Sequence, residues 1–232
     1  ALIGTGFAGW VISQQASTNK NGDITVYTVS TNNMAIKDLR WDDATEGDQG
    51  GHIIFGKPEG TPKTTYSWLS ATDEVKVESL VRKLTFTVSN EVSTDNTEPQ
   101  LAISLTVNDS ANGSYAKYNQ ALNGEQLDDY INAKYKVGEN ALALNNDYTV
   151  EAVEGSTNSF RVTLTVTFAW GDHFKEESES NGKNPYIYYN SHESVAMLKE
   201  DVTYYNDAKT ALEAIDKLKD VNYSIAITAD HA

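Results

Sequence analysis

The chain has no cysteine, four prolines, four histidines and only 18 basic residues against 33 acidic ones. Each shortage excludes something. Without cysteine there are no disulfides, thiolate metal sites or cysteine nucleophiles. The deficit of positive charge, a net −15 at pH 7, removes the phosphate-neutralising patch that a nucleic-acid partner requires and disfavours an anionic membrane surface. No run approaches the roughly 18 apolar residues needed to span a bilayer, so no stable membrane insertion of the mature chain is expected. His52, His173, His192 and His231 are scattered, with no His-x-x-x-His or Glu-x-x-His pair, and a zinc enzyme site is unsupported. There is no Gly-x-Ser-x-Gly elbow and no Walker-type phosphate loop. Gly4, Gly6 and Gly9 have the spacing of a dinucleotide fingerprint but lack the flanking strand and helix that give such glycines their role. The sequence therefore reads as a non-enzyme, with no catalytic and no cofactor-binding residue to name.

What is present is concentrated at the start. Residues 1–13, ALIGTGFAGWVIS, carry no charge in an otherwise polar, acidic chain, whereas termini are normally the least ordered and least apolar part. In an extended strand, Ile3, Phe7 and Val11 share one face, and Leu2, Ala8, Trp10 and Ile12 share the other. An ordinary edge strand is apolar on one face only. Apolar residues on both faces predict a strand covered on both sides, with Gly4, Gly6 and Gly9 permitting close backbone approach. Burying Ile3, Phe7, Trp10, Val11 and Ile12 at 1.5–3 kcal/mol each gives about 8–15 kcal/mol gross, before ordering costs. With Leu2, these residues form the candidate interface.

Leu2-Ile3-Gly4-Thr5-Gly6-Phe7-Ala8, with Trp10 two positions on, resembles the signal-peptide end of SipW-processed exported proteins, the TasA and camelysin-type fibre and surface proteins of Firmicutes. Gly9-Trp10-Val11-Ile12-Ser13 stands where the family's aromatic-Phe-Ser-Asp continuation would be. Ala1 in place of methionine is read as the mark of a processed or trimmed chain. The resemblance implies an extracellular fibre in which an N-terminal strand of one subunit completes the β-sandwich of the next.

Taken in order, the chain reads as strands. Alternation of apolar and polar residues predicts strands over 23–30 and 34–41, and a short apolar one over 52–55. Leu84, Phe86 and Val88, and then Leu101, Ile103, Leu105 and Val107, predict two strands of one antiparallel sheet with one buried face. Further strands are expected at 148–153, 160–170 and around Tyr223, Ile225 and Ile227. Phe160, Val162, Leu164, Val166 and Phe168 form the longest clean alternation. Apolar spacing of three and four predicts helices near 125–135 and 193–219, with Pro185-Tyr186-Ile187-Tyr188-Tyr189 as an aromatic patch before the second. The expected fold is mainly β: an antiparallel, jelly-roll-like β-sandwich with two helical insertions. Residues 1–16 would be a donor strand and 17–232 a single domain.

The best candidate for a metal is the loop carrying Asp42, Asp43, Glu46 and Asp48 around Gly47. Calcium takes six to eight oxygen ligands from such loops, although the spacing is not that of an EF-hand, and a solvated acidic loop is the plainer account. Tyr186, Tyr188, Tyr189, Tyr204 and Tyr205 could stack on a carbohydrate, or could be packing beside a sheet. Three functions are compatible with these features. The favoured one is a subunit of an extracellular fibre or pilus that polymerises with itself by inserting its N-terminal strand into a neighbour's sheet. The others are a monomeric cell-surface adhesive or carbohydrate-binding domain, and a secreted carbohydrate-active enzyme.

Overall fold

Side-chain alternation dictates most of the backbone. The computed structural model describes residues 9–13, 24–30, 34–61, 76–91, 97–107, 131–133, 148–171, 174–175, 178–179, 182–191 and 223–230. They form nine strands: β1 (Gly9–Ser13), β2 (Ile24–Ser30), β3 (Met34–Trp41), β4 (Val81–Asn90), β5 (Gln100–Val107), β6 (Ile131–Ala133), β7 (Tyr148–Ala152), β8 (Ser159–Trp170) and β9 (Tyr223–Asp230). Among the described residues one helix, α1 (Pro185–Ser191), precedes β9. The fold is mainly β, with two open sheets. The first runs β1-β2-β9-β5; the second runs β3-β4-β8-β6, with β7 also paired to β8.

β8 shows why these residues choose strand. Phe160, Val162, Leu164, Val166, Phe168 and Trp170 are all buried, with intermediate or exposed residues between them. This period of two puts every large apolar group on one face. Across the ladder Leu84 opposes Leu164, Phe86 opposes Val162 and Val88 opposes Phe160. The first sheet contributes Ile24 and Val26 of β2 and Tyr223, Ile225 and Ile227 of β9 to the same hydrophobic cluster. Phe168 of β8 meets Tyr223 of β9 edge-on at 5.0 Å between ring centroids, so the two sheets share a core.

Several expectations are corrected. The strands are not all antiparallel, because β2 and β9 pair in parallel from Ile24↔Tyr223 to Ser30↔Ala229. Parallel neighbours need a long connection, and nearly the whole chain runs between these two. β4 and β5 do not share a sheet: β4 lies between β3 and β8, while β5 pairs with β9. Alternation shows which face of a strand is buried and is silent on its neighbour. The helix expected at 125–135 fails at Ile131–Ala133, the described part of that span, which pairs with Phe168–Trp170 of β8. Ile131 and Ala133 flank a polar Asn132, so this short stretch fits a period of two as well as the helical one, and a free strand edge decides it. The helix expected at 193–219 lies outside the described residues. The described helix α1 occupies the aromatic patch that precedes it. Asn184 caps it by accepting the Tyr186 amide at 2.9 Å, and Pro185 takes the first helical position, where its missing N–H is harmless.

Residues 52–55 are not a regular strand. His52 and Ile53 are both buried, but the described residues here form only isolated bridges, Ile54 to Ser79 and Lys57 to Val77, and no continuous ladder. Their backbone groups are satisfied piecemeal: the Asp43 carboxylate accepts the His52 amide at 3.0 Å, Arg82 donates to the His52 carbonyl at 2.7 Å, and Ile54 exchanges bonds with Ser79. β3 also departs from strict alternation. Lys37 faces Thr87 and Arg40 faces Thr85, so Asp38 and Leu39 together oppose Phe86 in a β-bulge. Asp38 takes φ 58° to make it. The extra residue turns Lys37 and Asp38 both outward and returns Leu39 and Trp41 to the core side.

Candidate functional site

Of the interface residues expected from sequence, Leu2, Ile3 and Phe7 lie outside the described residues. Trp10, Val11 and Ile12 form the middle of β1, antiparallel to β2 of the same chain. In this register Trp10 stands opposite Val29, Val11 opposite Thr28 and Ile12 opposite Tyr27. β2 presents Ile24, Val26 and Thr28 to the interior, while Tyr27 on its other face is exposed. Among the described strands β1 is the outermost of its sheet, and β2 is its hydrogen-bonded neighbour. Ten residues, 14–23, connect the two strands. The site is therefore an edge: an antiparallel slot along β2, filled here by the N-terminal strand of its own chain.

The acidic loop is the second candidate, and two of its carboxylates already have partners. Asp43 accepts the Gly51 amide at 2.7 Å through Oδ1 and the His52 amide at 3.0 Å through Oδ2. The Arg82 guanidinium lies 3.0 Å from the same Oδ2. Asp48 accepts the Gly50 amide at 2.9 Å and pairs with His52 Nε2 at 2.8 Å. The Gly50 amide first, and His52 second, hold the Asp48 carboxyl below its ordinary value. Asp42 and Glu46 are exposed. Among the described residues no group of three or more histidines, aspartates and glutamates is placed to hold a metal ion. A calcium ion at Asp43 and Asp48 would compete with Arg82 and His52 for the same oxygens.

What the loop does is join the sheets. Its residue Gly51 accepts the amide of Ile24, the first residue of β2, at 3.0 Å, while Asp43 is tied to Arg82 of β4. Gly51 has φ +81° and lies against the Trp41 indole, where an added Cβ would come within 2.8 Å of Nε1. That Nε1 is buried without a hydrogen-bond partner among the described residues. Beside the loop, a cleft of about 700 Å³ opens between the β3 bulge and the turn at 45–48, lined by Asp38, Arg40, Thr45, Glu46, Asp48 and Gln49 among others.

Tyr186, Tyr188 and Tyr189 pack against the core. Tyr186 and Tyr189 are buried, and Phe174 packs edge-on against Trp170, Tyr188 and Tyr189 at centroid distances of 6.0, 5.8 and 6.1 Å. Buried as they are, Tyr186 and Tyr189 offer no open face to a sugar; Tyr204 and Tyr205 lie outside the described residues. Sequence reasoning missed the group that anchors this cluster. Asn184 donates to the Gly56 carbonyl and to Glu78 Oε2, both at 2.7 Å, and Trp170 Nε1 donates to the same Glu78 oxygen. The Asn-Pro pair just before an aromatic run was the available signal, since it reads as a helix start. Arg82 was missed too, and nothing local distinguishes it from other lysines and arginines.

No protein-family description matches the chain, and neither the curated proteins nor the solved structures contain a match to it. Among the described residues no helix is long and apolar enough to cross a membrane.

Proposed function

We propose that this chain is a structural subunit of an extracellular fibre or pilus, a jelly-roll-like β-sandwich that polymerises with itself. Each copy inserts its apolar N-terminal strand along β2 of a neighbour. The observation that carries this reading is the place of β1: an uncharged strand at the edge of its sheet, bonded to β2. A strand in that position can be supplied by a second copy in the same register, because the main-chain bonds of an antiparallel slot do not depend on which chain fills it. The absence of charge over residues 1–13 supports burial of this segment, and left free it would invite aggregation. The localisation that follows is extracellular or at the cell surface.

Negative-stain microscopy across a concentration series tests the reading. The full chain should form filaments, and a chain lacking residues 1–13 should stay soluble and folded but form none. A Trp10→Asp variant that polymerises as well as the parent would sink it. One observation favours a second reading, a monomeric cell-surface adhesive domain: β1 and β2 pair within one chain over five residues. Under that reading, removing residues 1–13 unfolds the protein and no filament appears at any concentration.

A further inference from the structure

The edges of the two sheets are finished differently. An unpaired strand edge is a template for another strand, and proteins close such edges with bulges, charges and short strands. The second sheet has all three. On one side is β3, whose bulge sets Asp38 and Leu39 against the single Phe86 and holds Asp38 at φ 58°. Lys37, Asp38 and Arg40 are all exposed there, and Lys37 is held by Glu91 at 2.8 Å. On the other side β8 is capped by two short pieces, β7 of five residues against Phe160–Leu164 and β6 of three against Phe168–Trp170. The edge strands of the first sheet, β1 and β5, carry neither a bulge nor a charged residue, although β1 is as short as β7. The β1–β2 and β5–β9 ladders run through in continuous register, without a bulge.

We infer that the β3 edge is closed to strand addition, so that a second copy of this chain can add a strand only to the sheet that carries β1. A bulge interrupts the regular alternation of N–H and C=O along an edge, and an incoming strand would meet a break in its ladder after Lys37. It would also have to bring its own groups against three charged side chains. The consequence for assembly is one growth direction. Subunits that accept strands on one sheet make linear polymers, whereas subunits open on both would branch or stack. The identity of the partner rests on the strand-insertion reading above; the closure of β3 does not.

The bulge can be removed without disturbing the core. Deleting Asp38 leaves Met34, Ile36, Leu39 and Trp41 on the inner parity and Ala35, Lys37 and Arg40 on the outer one. The experiment uses the full chain carrying Trp10→Asp, which blocks insertion of β1. In that background, Lys37→Thr/Asp38→Gly/Arg40→Thr strips the charges and keeps the bulge, and Lys37→Thr/Arg40→Thr with Asp38 deleted removes both. Sedimentation should show the parent monomeric. Self-association should be about tenfold tighter for the charge-stripped chain and tighter again for the straightened one, with amide protection rising over residues 34–41 by hydrogen exchange. If both variants are folded and as monomeric as the parent, the inference is overturned. If the straightened chain fails to fold, the charge-stripped one decides alone. If the protein with Trp10 intact forms no filaments, the proposed function falls while this comparison stands.

Discussion

The two sheets draw on similar residues and reach different kinds of order. The second is organised around β8, twelve residues long, buried on one face along its whole length and paired on both sides. The first has at its margin β1, five residues at the end of the described sheet and paired to β2. Both strands are conspicuous in the sequence for their apolar residues. What separates them is pattern. β8 alternates, so its position is fixed by the core. The segment containing β1 is apolar on both parities, so no single face fixes it, and its place depends on what else is available to cover it. Alternation commits β8 to one core face, whereas an apolar strand without alternation requires cover on both of its faces.

That contrast can be broken at its strongest point first. Leu164→Ala, in the middle of β8 and fully buried between Leu84 and Tyr148 of its neighbouring strands, should cost about 2–5 kcal/mol in denaturant unfolding. Removing residues 1–13 should cost less than that, under about 2 kcal/mol. A truncation that destabilises more than Leu164→Ala would put β1 in the core beside β8 and favour the self-contained monomer.

The link between the sheets gives the next effect. Gly51→Ala places a side chain at φ +81° and against the Trp41 indole. It should cost about 1–3 kcal/mol from the backbone alone, seen as a lower Tm with a shift in tryptophan fluorescence. A variant as stable as the parent would mean that the loop does not hold β2 to the second sheet.

The pH dependence is smaller and its sign is fixed. The folded carboxyl of Asp48 titrates below its ordinary value of 3.8. Its contribution to stability is therefore complete above that value and is lost as the pH falls through the lowered one. Thermal unfolding between pH 6 and pH 3 should show a decline that Asp48→Asn flattens; an unchanged slope would mean that the Gly50 amide and His52 do not hold this carboxylate in the folded protein. The smallest effect is expected of Asp38→Gly. Relief of a positive φ is offset by the entropy of glycine, and the net change should stay within about 1 kcal/mol.

Much of the fold was legible in the residues. β2, β3, β4, β5, β7, β8 and β9 all fall where apolar and polar residues alternate, because a strand with one buried face can satisfy the core in no other way. The bulge in β3 was not legible. Met34, Ile36 and Asp38 share a parity in the sequence, and only a packed neighbour makes it costly to leave Asp38 on the inner side. The candidate loop shows the same limit. Its carboxylates were visible as possible ligands, but Arg82 lies 39 positions from Asp43 in the chain and reaches it only because β4 runs past.

The sequence by itself determined the class of the molecule: β structure without disulfides, a strongly acidic surface, a core face for each long strand and an uncharged apolar start. The tertiary structure decided which strands became neighbours, that β2 and β9 run parallel, that a short stretch at 131–133 joins a sheet, and that Asp43 meets Arg82 while Asp48 meets His52. The reason is physical. Alternation and charge are local properties that each strand carries alone, whereas pairing, register and the fate of a carboxylate depend on which distant backbone amides and cations the fold brings within about 3 Å.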